Sequence, residues 1–410
     1  MKKYNIALVS DMFYPGYGGV ETHILVLGQN FIKNGHKVIV ITHRYGEYVG
    51  IKKIGDLVVY YLDIPLLYKN VTWPSLWAGF DLYRTIFENH NIEIVNGHQS
   101  MSVMCVEALY CAKWMEIKTV LTDHSLFEVG KIERIIINAS IRYLCHFVDK
   151  VICVSETAKR NTKGRLKFEE SRFAVIPNGV NNKIFYPNPE KRKSKFINLL
   201  VISRLEFRKG IDLLVKALPI ICKNKKIKVT IVGGGFMKDE VLSCIDQNDL
   251  QNQIKLLNEI PIHQIGDIMR QNDILLNTSL TESFCTVVIE AFACGLSIVT
   301  TNVGGISEIR GLNNIHYCEP NSEDIAAQIF KACANLGKTG KTELLNDYLW
   351  ENIARETLKV YDGIETKKID VELSYYSAFP SFKNTMYRIY TFLQSQAVWL
   401  SNWFKTSKNE

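Results

Sequence analysis

Two carboxylates eight positions apart, Glu282 and Glu290, stand in the stretch of sequence richest in reactive side chains. The apolar run Asp273–Leu276 before them predicts a buried strand, and Thr286 is predicted to begin a helix that ends near Gly295. Glu282 then precedes a helix N-terminus and Glu290 lies inside the helix, at most about 12 Å away at helical rise. Such a span lets one carboxylate reach a hexose while the other reaches a ribose. A surface loop with two solvated glutamates can have the same spacing, so this pattern alone does not distinguish a binding site from such a loop.

The backbone between the two glutamates carries donors for an anion. The N–H groups around Phe284, Cys285 and Thr286 precede the predicted helix and have no acceptor inside it. Together with the positive end of the helix dipole, they favour a bound diphosphate. Arg204 and Lys209 lie in another predicted strand-to-helix loop, where two cations also suit a diphosphate. Either cation alone would indicate only an ordinary surface charge.

Two further polar clusters follow predicted strands in the first half of the chain. Asn96-Gly-His98 follows the predicted strand Ile92–Val95, and Thr122-Asp-His124 follows Thr119–Leu121. Open α/β sheets bind ligands at the carboxyl ends of their strands, so both clusters are candidates for a site. A lone histidine is more often a hydrogen-bonded structural residue, although His124, beside an aspartate, is the stronger candidate.

A glycine-rich turn, Ser10–Gly19, joins the predicted first strand, Tyr4–Val9, to a predicted helix over residues 20–34. Its glycines allow the backbone to approach a phosphate, but a tight strand-to-helix turn requires glycine in any case. The spacing is not G-x-G-x-x-G, and Thr42-His-Arg44 stands where an acidic residue would bind a nicotinamide ribose. A dinucleotide-dependent dehydrogenase is therefore disfavoured.

Strands and helices alternate along the chain, which indicates an α/β protein of two Rossmann-like, doubly wound domains facing a cleft. The predicted domains are residues 1–186 and 187–345, followed by a closing helix and tail over 346–410. Pro187–Lys195 contains proline and charged residues and is the predicted linker. The other predicted strands are Lys37–Ile41, Leu57–Leu62, Lys150–Val154, Phe196–Ile202, Val229–Val232, Ile254–Leu257 and Leu296–Thr300.

Composition narrows the class of protein. The 410 residues suffice for two hydrophobic cores, and a net charge of +7 is too mild to indicate a nucleic-acid partner. The ten cysteines are scattered without a C-x-x-C pair, which favours reduced core residues of a cytosolic protein over a disulfide framework or a zinc site. The sequence begins Met1-Lys-Lys and continues into a predicted strand, so no signal peptide is expected.

Taken together, the motifs resemble the GT-B retaining glycosyltransferases of family four. The features that carry this resemblance are Gly18-Gly19, Arg204 with Lys209, Glu282 with Glu290, and Gly304-Gly-Ile-Ser-Glu308. Within that family the chain is most similar to the members that begin glycosylphosphatidylinositol anchor synthesis, over about residues 4–363. The matching runs are Ser10–Pro15, Gly18–His23, Thr122–Phe127, Ser203–Leu214 and Asn277–Glu282.

The resemblance implies roles for individual residues. Glu290 would bind the ribose hydroxyls, Arg204 and Lys209 would neutralise the departing diphosphate, Glu282 would contact the donor sugar, and His124 would lie near the reacting centre. The other implied donor-binding residues are Gly18, Gly19, Gly234, Ser283, Phe284, Cys285 and Thr286, and the acceptor-side residues are Glu21, His23, His98 and Asp123. No cofactor and no metal are expected, since the family rarely needs one and no Asp-x-Asp motif stands out. Same-face attack assisted by the leaving phosphate is expected, without a covalent intermediate.

The resemblance also implies substrates and a location. The implied substrates are UDP-N-acetylglucosamine and phosphatidylinositol. The implied protein partners are other subunits of a transferase complex, and no nucleic-acid partner is expected. The implied location is the cytosolic face of the endoplasmic reticulum membrane. Two alternatives stay open: another family-four transferase with a lipid acceptor, and a catalytically inactive scaffold of the same fold. The second is disfavoured because both cations and both glutamates are present.

Four features depart from the family or extend beyond its motifs. Asn96 replaces the first histidine of a His-x-His motif, Asn258 replaces a glycine, and Gly233-Gly-Gly-Phe236 replaces an acidic turn. Thr385–Phe404 is aromatic and apolar but interrupted by Arg388 and by several amides. This pattern favours an amphipathic helix in the cytosolic leaflet over a spanning helix or one packed on the N-terminal domain.

Overall fold

The computed structural model describes residues 2–16, 18–68, 71–72, 79–126, 141, 145, 148–187, 195–309, 311–312, 314–336 and 346–365. The chain forms two compact units. Unit 1 contains the chain up to Val154, then Lys159–Ile176, and again the chain from Ala354. Unit 2 contains Ser155–Ala158 and Pro177–Ile353.

Unit 1 is built on an eight-stranded sheet with the order β10-β9-β8-β7-β1-β2-β4-β3. Each strand pair is parallel except β3 with β4. The order reverses between β1 and β7, so the carboxyl ends of these two strands form the switch point where such sheets bind ligands. The strands are β1 Asn5–Val9, β2 Lys37–His43, β3 Gly50–Ile54, β4 Leu57–Leu62, β7 Ile94–His98, β8 Lys118–Asp123, β9 Lys150–Cys153 and β10 Phe173–Val175, with a separate ribbon of β5 Leu66–Tyr68 and β6 Val71–Thr72.

Helices connect the parallel strands and cover the sheet of unit 1. After Asn5, the central strand β1 is apolar, as a strand covered on both faces requires, and Ile6 to Val9 are fully buried. The helices are α1 Gly19–Lys33, α2 Phe80–Asn89, α3 Val103–Trp114, α4 Glu156–Leu166 and, from the end of the described chain, α10 Trp350–Asp362.

The polar clusters of the first half lie partly inside strands, which corrects the sequence prediction. Asn96-Gly-His98 forms the last three residues of β7, and Asp123 ends β8. Glycine is required at position 97 of this strand because α3 packs directly on the backbone there. A Cβ at Gly97 would lie 2.5 Å from Cys105 Sγ. Hydrogen bonds join the Asn96 amide to the Thr122 hydroxyl of β8 (2.9 Å) and to the Tyr361 hydroxyl of α10 (2.8 Å), so this buried amide is satisfied.

Unit 2 is built on a six-stranded parallel sheet with the order β13-β12-β11-β14-β15-β16. Its switch point lies between β11 and β14. The strands are β11 Ile197–Ile202, β12 Ile227–Val232, β13 Ile254–Leu257, β14 Ile274–Asn277, β15 Ser297–Thr301 and β16 Ile315–Cys318. The helices are α5 Ile211–Ile221, α6 Lys238–Gln247, α7 Ile262–Arg270, α8 Thr286–Ala293 and α9 Ser322–Ala334.

None of the helices in the described ranges combines the length and hydropathy of a bilayer-spanning segment. The predicted membrane-associating stretch Thr385–Phe404 lies outside the described residues.

Candidate functional site

In unit 2, two loops meet at the switch point of the sheet. The loop after β11 carries Arg204 and Lys209, and the loop after β14 carries Glu282. Thr278 donates its hydroxyl to the carbonyl oxygen of Lys209 (2.9 Å), which joins the loops. Gly210 makes this close approach possible, because it has φ +66° and a Cβ there would lie 1.9 Å from the Thr278 carbonyl oxygen.

The centre of this site is an ion pair. Lys209 Nζ lies 2.5 Å from Glu282 Oε1, and the Ser279 hydroxyl donates to the same oxygen (2.8 Å). Both side chains are largely buried, with 19% and 11% exposed. Burial by itself lowers the pKa of Lys209, but the nearby Glu282 carboxylate outweighs it and the pKa is raised. Lys209 is therefore a fixed cation at neutral pH.

Arg204 supplies a second, more exposed charge beside the pair. Its guanidinium lies 3.6 Å from Glu206 and is 57% exposed, and its charge acts to lower the pKa of Lys209. An exposed pair of this kind contributes little to stability, so Arg204 can exchange Glu206 for an anionic ligand at small cost.

The first turn of α8 provides backbone donors next to Glu282. Cys285 precedes the helix in the left-handed conformation, with φ +67° and ψ +76°, and its side chain makes no capping hydrogen bond. The N–H of Gly305 donates to the Glu282 carbonyl oxygen (2.9 Å), and the Ser155 hydroxyl donates to that of Ser283 (2.6 Å). These bonds fix the loop, so the first-turn N–H groups are aimed before any ligand binds.

Glu290 lies one helical turn further along α8. It is partly buried, and burial raises the pKa of its carboxyl group to about 7. Phe284, by contrast, is 3% exposed and its ring lies 5.9 Å from that of Tyr348, so its side chain belongs to the core and only its backbone is available to a ligand.

The glycine turn after β12 packs against the Arg204 loop. The N–H of Leu205 donates to the Gly234 carbonyl oxygen (2.7 Å). Gly233 has φ +149°, and a Cβ there would lie 1.9 Å from the Ser203 carbonyl oxygen. Asn258, where a glycine is expected, accepts a hydrogen bond from Lys238 Nζ (2.9 Å).

In unit 1, three histidines come together at the switch point. His23 lies in the first turns of α1, His98 ends β7, and His124 directly follows β8. His98 Nδ1 and His124 Nε2 are 3.2 Å apart, and the ring of His23 is centred 4.6 Å from that of His124. Burial lowers the pKa of His124 to about 4 and that of His98 well below its usual range, so these two imidazoles are neutral at pH 7.

Asp123, predicted on the acceptor side, is fully buried and held by protein groups. Its carboxylate accepts from Arg165 (2.5 Å), from the Thr162 hydroxyl (2.9 Å) and from the Ser100 hydroxyl (3.1 Å). Neither Asp123 nor Arg165 has any exposed side-chain surface. Sequence reasoning missed Arg165, because a lone arginine in a polar helix carries no signal of an ion pair with a strand 42 residues away.

The start of α1 holds the other predicted unit 1 residues. Gly18 is extended and precedes the helix, and a Cβ there would lie 2.5 Å from Glu21 Oε2. Gly19 has open space around its Cα. Gly18 therefore makes room for Glu21, while Gly19 leaves the helix N-terminus accessible.

Asp11, just after β1, was also missed. The Thr72 hydroxyl donates to its carboxylate (2.7 Å), and so does the N–H of Val103 (2.7 Å). Burial raises the pKa of Asp11 to about 6, against these hydrogen bonds, which lower it. The residue ties the first strand to the start of α3. The roles in donor and acceptor binding that the resemblance implies for the residues of both units stay predictions.

Solved structures of glycosyltransferases share this fold. Sucrose-phosphate synthase from Thermosynechococcus elongatus superposes with a TM-score of 0.73 over 88% of this chain and 98% of that one, at 18% identity. Anabaena HepE in complex with UDP superposes with a TM-score of 0.69 over 88% and 100%, at 17% identity. The family profile described as Glycosyltransferase Family 4 matches residues 17–183, and Glycosyl transferases group 1 matches residues 182–340. The protein is a glycosyltransferase with the GT-B fold of two Rossmann-like domains.

Closer relatives define the family more narrowly. The gpi3 subunit of phosphatidylinositol N-acetylglucosaminyltransferase from Schizosaccharomyces pombe is 38% identical over 365 residues, 87% of this chain and 80% of the relative. The human relative, also named as a subunit of phosphatidylinositol N-acetylglucosaminyltransferase, is 37% identical over 377 residues, 90% of this chain and 78% of the relative. The chain belongs to the GPI3 subunit family of phosphatidylinositol N-acetylglucosaminyltransferase.

Proposed function

We propose that this chain is the catalytic subunit that transfers N-acetylglucosamine from UDP-N-acetylglucosamine to phosphatidylinositol, the first step of glycosylphosphatidylinositol anchor synthesis. The observation that carries the proposal is the Lys209–Glu282 ion pair beside the first turn of α8, at the switch point of unit 2. The family names support the choice of donor and acceptor.

The unit 2 site suits a nucleoside diphosphate sugar. The first-turn N–H groups of α8 and the Arg204 guanidinium would bind the diphosphate, and Glu290 would accept hydrogen bonds from the ribose hydroxyls. Glu282, held by Lys209 and Ser279, is oriented to accept a hydrogen bond from a hydroxyl group of the donor sugar. Lys209 and Arg204 stabilise the diphosphate most when its negative charge grows, which lowers the barrier to its departure.

The reaction breaks the bond between the anomeric carbon and the diphosphate oxygen. The inositol hydroxyl oxygen forms the new bond on the same face of the sugar, and its proton passes to the departing phosphate oxygen. Both leaving-group electrons stay on UDP. The residues of unit 2 need only orient the donor and stabilise the leaving charge, so this route requires no covalent intermediate.

We place the reaction on the cytosolic face of the endoplasmic reticulum membrane, within a complex of several subunits. The word "subunit" in the relatives' names supports the complex, and the lipid acceptor in those names supports a membrane surface. A different sugar donor is the alternative, because the residues that would bind a diphosphate and a ribose do not select the hexose.

The test is a donor panel. The chain in its purified complex is given phosphatidylinositol and, in parallel, labelled UDP-N-acetylglucosamine, UDP-glucose, UDP-galactose and GDP-mannose. We expect lipid-linked label only from UDP-N-acetylglucosamine, with the anomeric configuration of the donor retained. Efficient transfer from another donor would replace the assignment, and no transfer from any donor, with UDP still bound, would indicate the inactive scaffold.

A further inference from the structure

The resemblance implies positions near the reacting centre and the acceptor for the three histidines of unit 1, but it does not explain why their ring nitrogens form one cluster. His23, His98 and His124 are 4%, 0% and 9% exposed. Each offers a ring nitrogen, and these three nitrogens all lie within 4.8 Å of one another. They come from three separate elements, α1, β7 and the residue after β8, so sequence neighbourhood does not account for their meeting.

Hydrogen bonding leaves His98 incompletely satisfied. A neutral imidazole has one donor and one acceptor nitrogen, and His98 Nδ1 is hydrogen-bonded to His124 Nε2 at 3.2 Å. His98 Nε2 is buried and has no hydrogen-bond partner among the described residues. A buried ring nitrogen without a partner is costly, so His98 is not a fully hydrogen-bonded core histidine.

We propose that His23, His98 and His124 bind one divalent transition-metal ion of the Zn²⁺ class through three imidazole nitrogens. Imidazole is a preferred ligand of zinc, copper, nickel and iron, whereas Ca²⁺ and Mg²⁺ prefer oxygen ligands. The described residues bring no carboxylate or thiol into the group, and the nearby Asp123 carboxylate is occupied by Arg165.

The spacing suits such an ion after small movements. Zn–N bonds of about 2.0–2.1 Å place two nitrogens of a tetrahedral site about 3.4 Å apart. The His98–His124 distance of 3.2 Å already matches this value. The widest pair, within 4.8 Å, needs an inward shift of about 1.4 Å, which ring rotation of His23 on its helix can supply. Three protein nitrogens leave a fourth position for water or another oxygen ligand.

The metal site goes beyond the proposed transfer reaction, and it is tested by measuring Zn²⁺ binding rather than transferase activity. The full-length chain is purified in detergent, stripped with a chelator and titrated with Zn²⁺ against a chromophoric chelator. We expect one tight site per chain. His98→Asn should raise the Zn²⁺ Kd by at least about 10- to 100-fold, because changes to residues outside the ligand shell already have an effect of that size.

His43 offers a matched control. It is also fully buried, it ends the neighbouring strand β2, and its Nε2 likewise has no hydrogen-bond partner among the described residues, yet it lies outside the cluster. His43→Asn should leave the Zn²⁺ Kd within about twofold of wild type. Equal weakening in His43→Asn and His98→Asn would overturn the proposal, as would unchanged affinity in His98→Asn.

Two further readouts exclude misfolding and binding by cysteines. Zn²⁺ should raise the Tm of wild type and of His43→Asn but not that of His98→Asn or His23→Asn, because only a ligand of the folded state stabilises it. Co²⁺ substituted for Zn²⁺ should give the absorption of a site with nitrogen ligands. Intense thiolate charge-transfer bands would assign the metal to the ten cysteines instead and refute the histidine site.

Discussion

At the scale of single residues, the Lys209–Glu282 pair is the feature on which the proposed chemistry depends most. The ammonium group is held at 2.5 Å from a carboxylate and kept charged in a largely buried position. A cation fixed in this way needs no reorganisation when charge appears on a leaving diphosphate, and such preorganisation is where electrostatic catalysis gains most.

We predict that Lys209→Ala lowers kcat by about 10²–10³, the usual effect of removing one preorganised donor from a developing charge. Arg204→Ala should act in the same direction and less strongly, because Arg204 is 57% exposed. Phosphatidylinositol binding should be unchanged in both. The measurement is steady-state transfer of labelled N-acetylglucosamine, with lipid binding measured separately.

Arg208→Ala is the control for these variants. Arg208 lies next to Lys209, is 51% exposed, and pairs with the same Glu206 as Arg204. It should retain activity within about threefold, since an exposed charge away from the diphosphate contributes little. Activity within the same range for both Lys209→Ala and Arg204→Ala would remove these two residues from the mechanism.

Glu290 should make UDP binding depend on pH. Its pKa is raised to about 7 by burial, so the carboxylate gains a proton as the pH falls through 7 and loses its charge-assisted bond to the ribose. Glu290→Gln should weaken UDP binding by roughly ten-fold at pH 8 and by much less at pH 6. Calorimetric titration of both proteins at the two pH values measures this, and parallel pH profiles would show that Glu290 does not contact the nucleotide.

The same residue gives an independent test on the protein without ligand. Between the ordinary pKa of 4.5 and the raised value of about 7, folded Glu290 binds more protons than unfolded Glu290. Its contribution to the free energy of unfolding therefore falls as the pH rises through this window. The free energy of unfolding of Glu290→Gln minus that of wild type should therefore be larger at pH 8 than at pH 5. Chemical denaturation of both proteins at the two pH values measures this difference. A difference that does not change with pH would contradict the raised pKa of Glu290.

At the scale of elements, a buried ion pair holds the segment that carries His124. Asp123 ends β8 immediately before that histidine, and Arg165 reaches it from the last turn of α4. Removing one partner of a fully buried pair leaves the other charge without compensation, which commonly costs more than the pair itself contributes.

We predict that Arg165→Met lowers the free energy of unfolding by about 3–5 kcal/mol. Arg160→Met, an exposed position on the same helix, should change it by less than about 0.5 kcal/mol. Asp123→Asn combined with Arg165→Met should recover part of the loss, since the double variant buries no charge. Urea denaturation of the three variants measures these free energies of unfolding. A loss below about 1 kcal/mol for Arg165→Met would mean that Asp123 is not held as a charge.

The elements themselves were largely predictable, because buried parallel strands are apolar without interruption and helices end at glycines. β1, β4, β11 and β14 appear within one or two residues of their predicted positions. The strand ends were not predictable at β7, where Asn96 and Gly97 are residue types typical of loops. The Asn96 amide is compensated by hydrogen bonds with Thr122 and Tyr361, which are 26 and 265 residues away.

For the site, the sequence predicted which residues matter but not how they are held. The strand-to-helix loops and the spacing of Glu282 and Glu290 follow from local patterns, and the pairing of Lys209 with Glu282 across 73 residues does not. The histidine cluster also depends on three distant segments meeting, and no local periodicity reports such a meeting. The exposed edge strand β3 was missed because it is short and carries two lysines among its five residues.

At the scale of the whole molecule, the tail after the described residues is the predicted means of membrane attachment. The aromatic stretch Thr385–Phe404 lies outside the described range, and its sequence favours a helix lying in the cytosolic leaflet. We predict that deleting residues 380–410 weakens membrane association, measured by flotation, while the Tm of the two units stays unchanged.

A glycosylation acceptor tag after Glu410 tests the orientation of the same segment. A helix lying on the cytosolic leaflet keeps the tag away from the lumenal glycosylation enzymes, so the tag should stay unmodified. Efficient modification would show that the C-terminus is lumenal and that the segment spans the bilayer. A tag after Met1 should also stay unmodified if the catalytic domains are cytosolic.

The return of the chain to unit 1 has a practical consequence. The Tyr4 hydroxyl donates to the Asp362 carboxylate (2.6 Å), so the beginning of β1 and the end of α10 are neighbours although 358 residues separate them. A short Gly-Ser linker from Ile364 to Lys2 should therefore be accommodated without distorting either element. Removing Pro177–Ile353 at the same time, so that the new chain begins at Ala354 and ends at Ile176, turns unit 1, together with Ser155–Ala158, into one continuous polypeptide. A simple truncation at Ile176 would instead leave the Asn96 amide and the Phe31 ring without Tyr361, their partner from the far end of the chain.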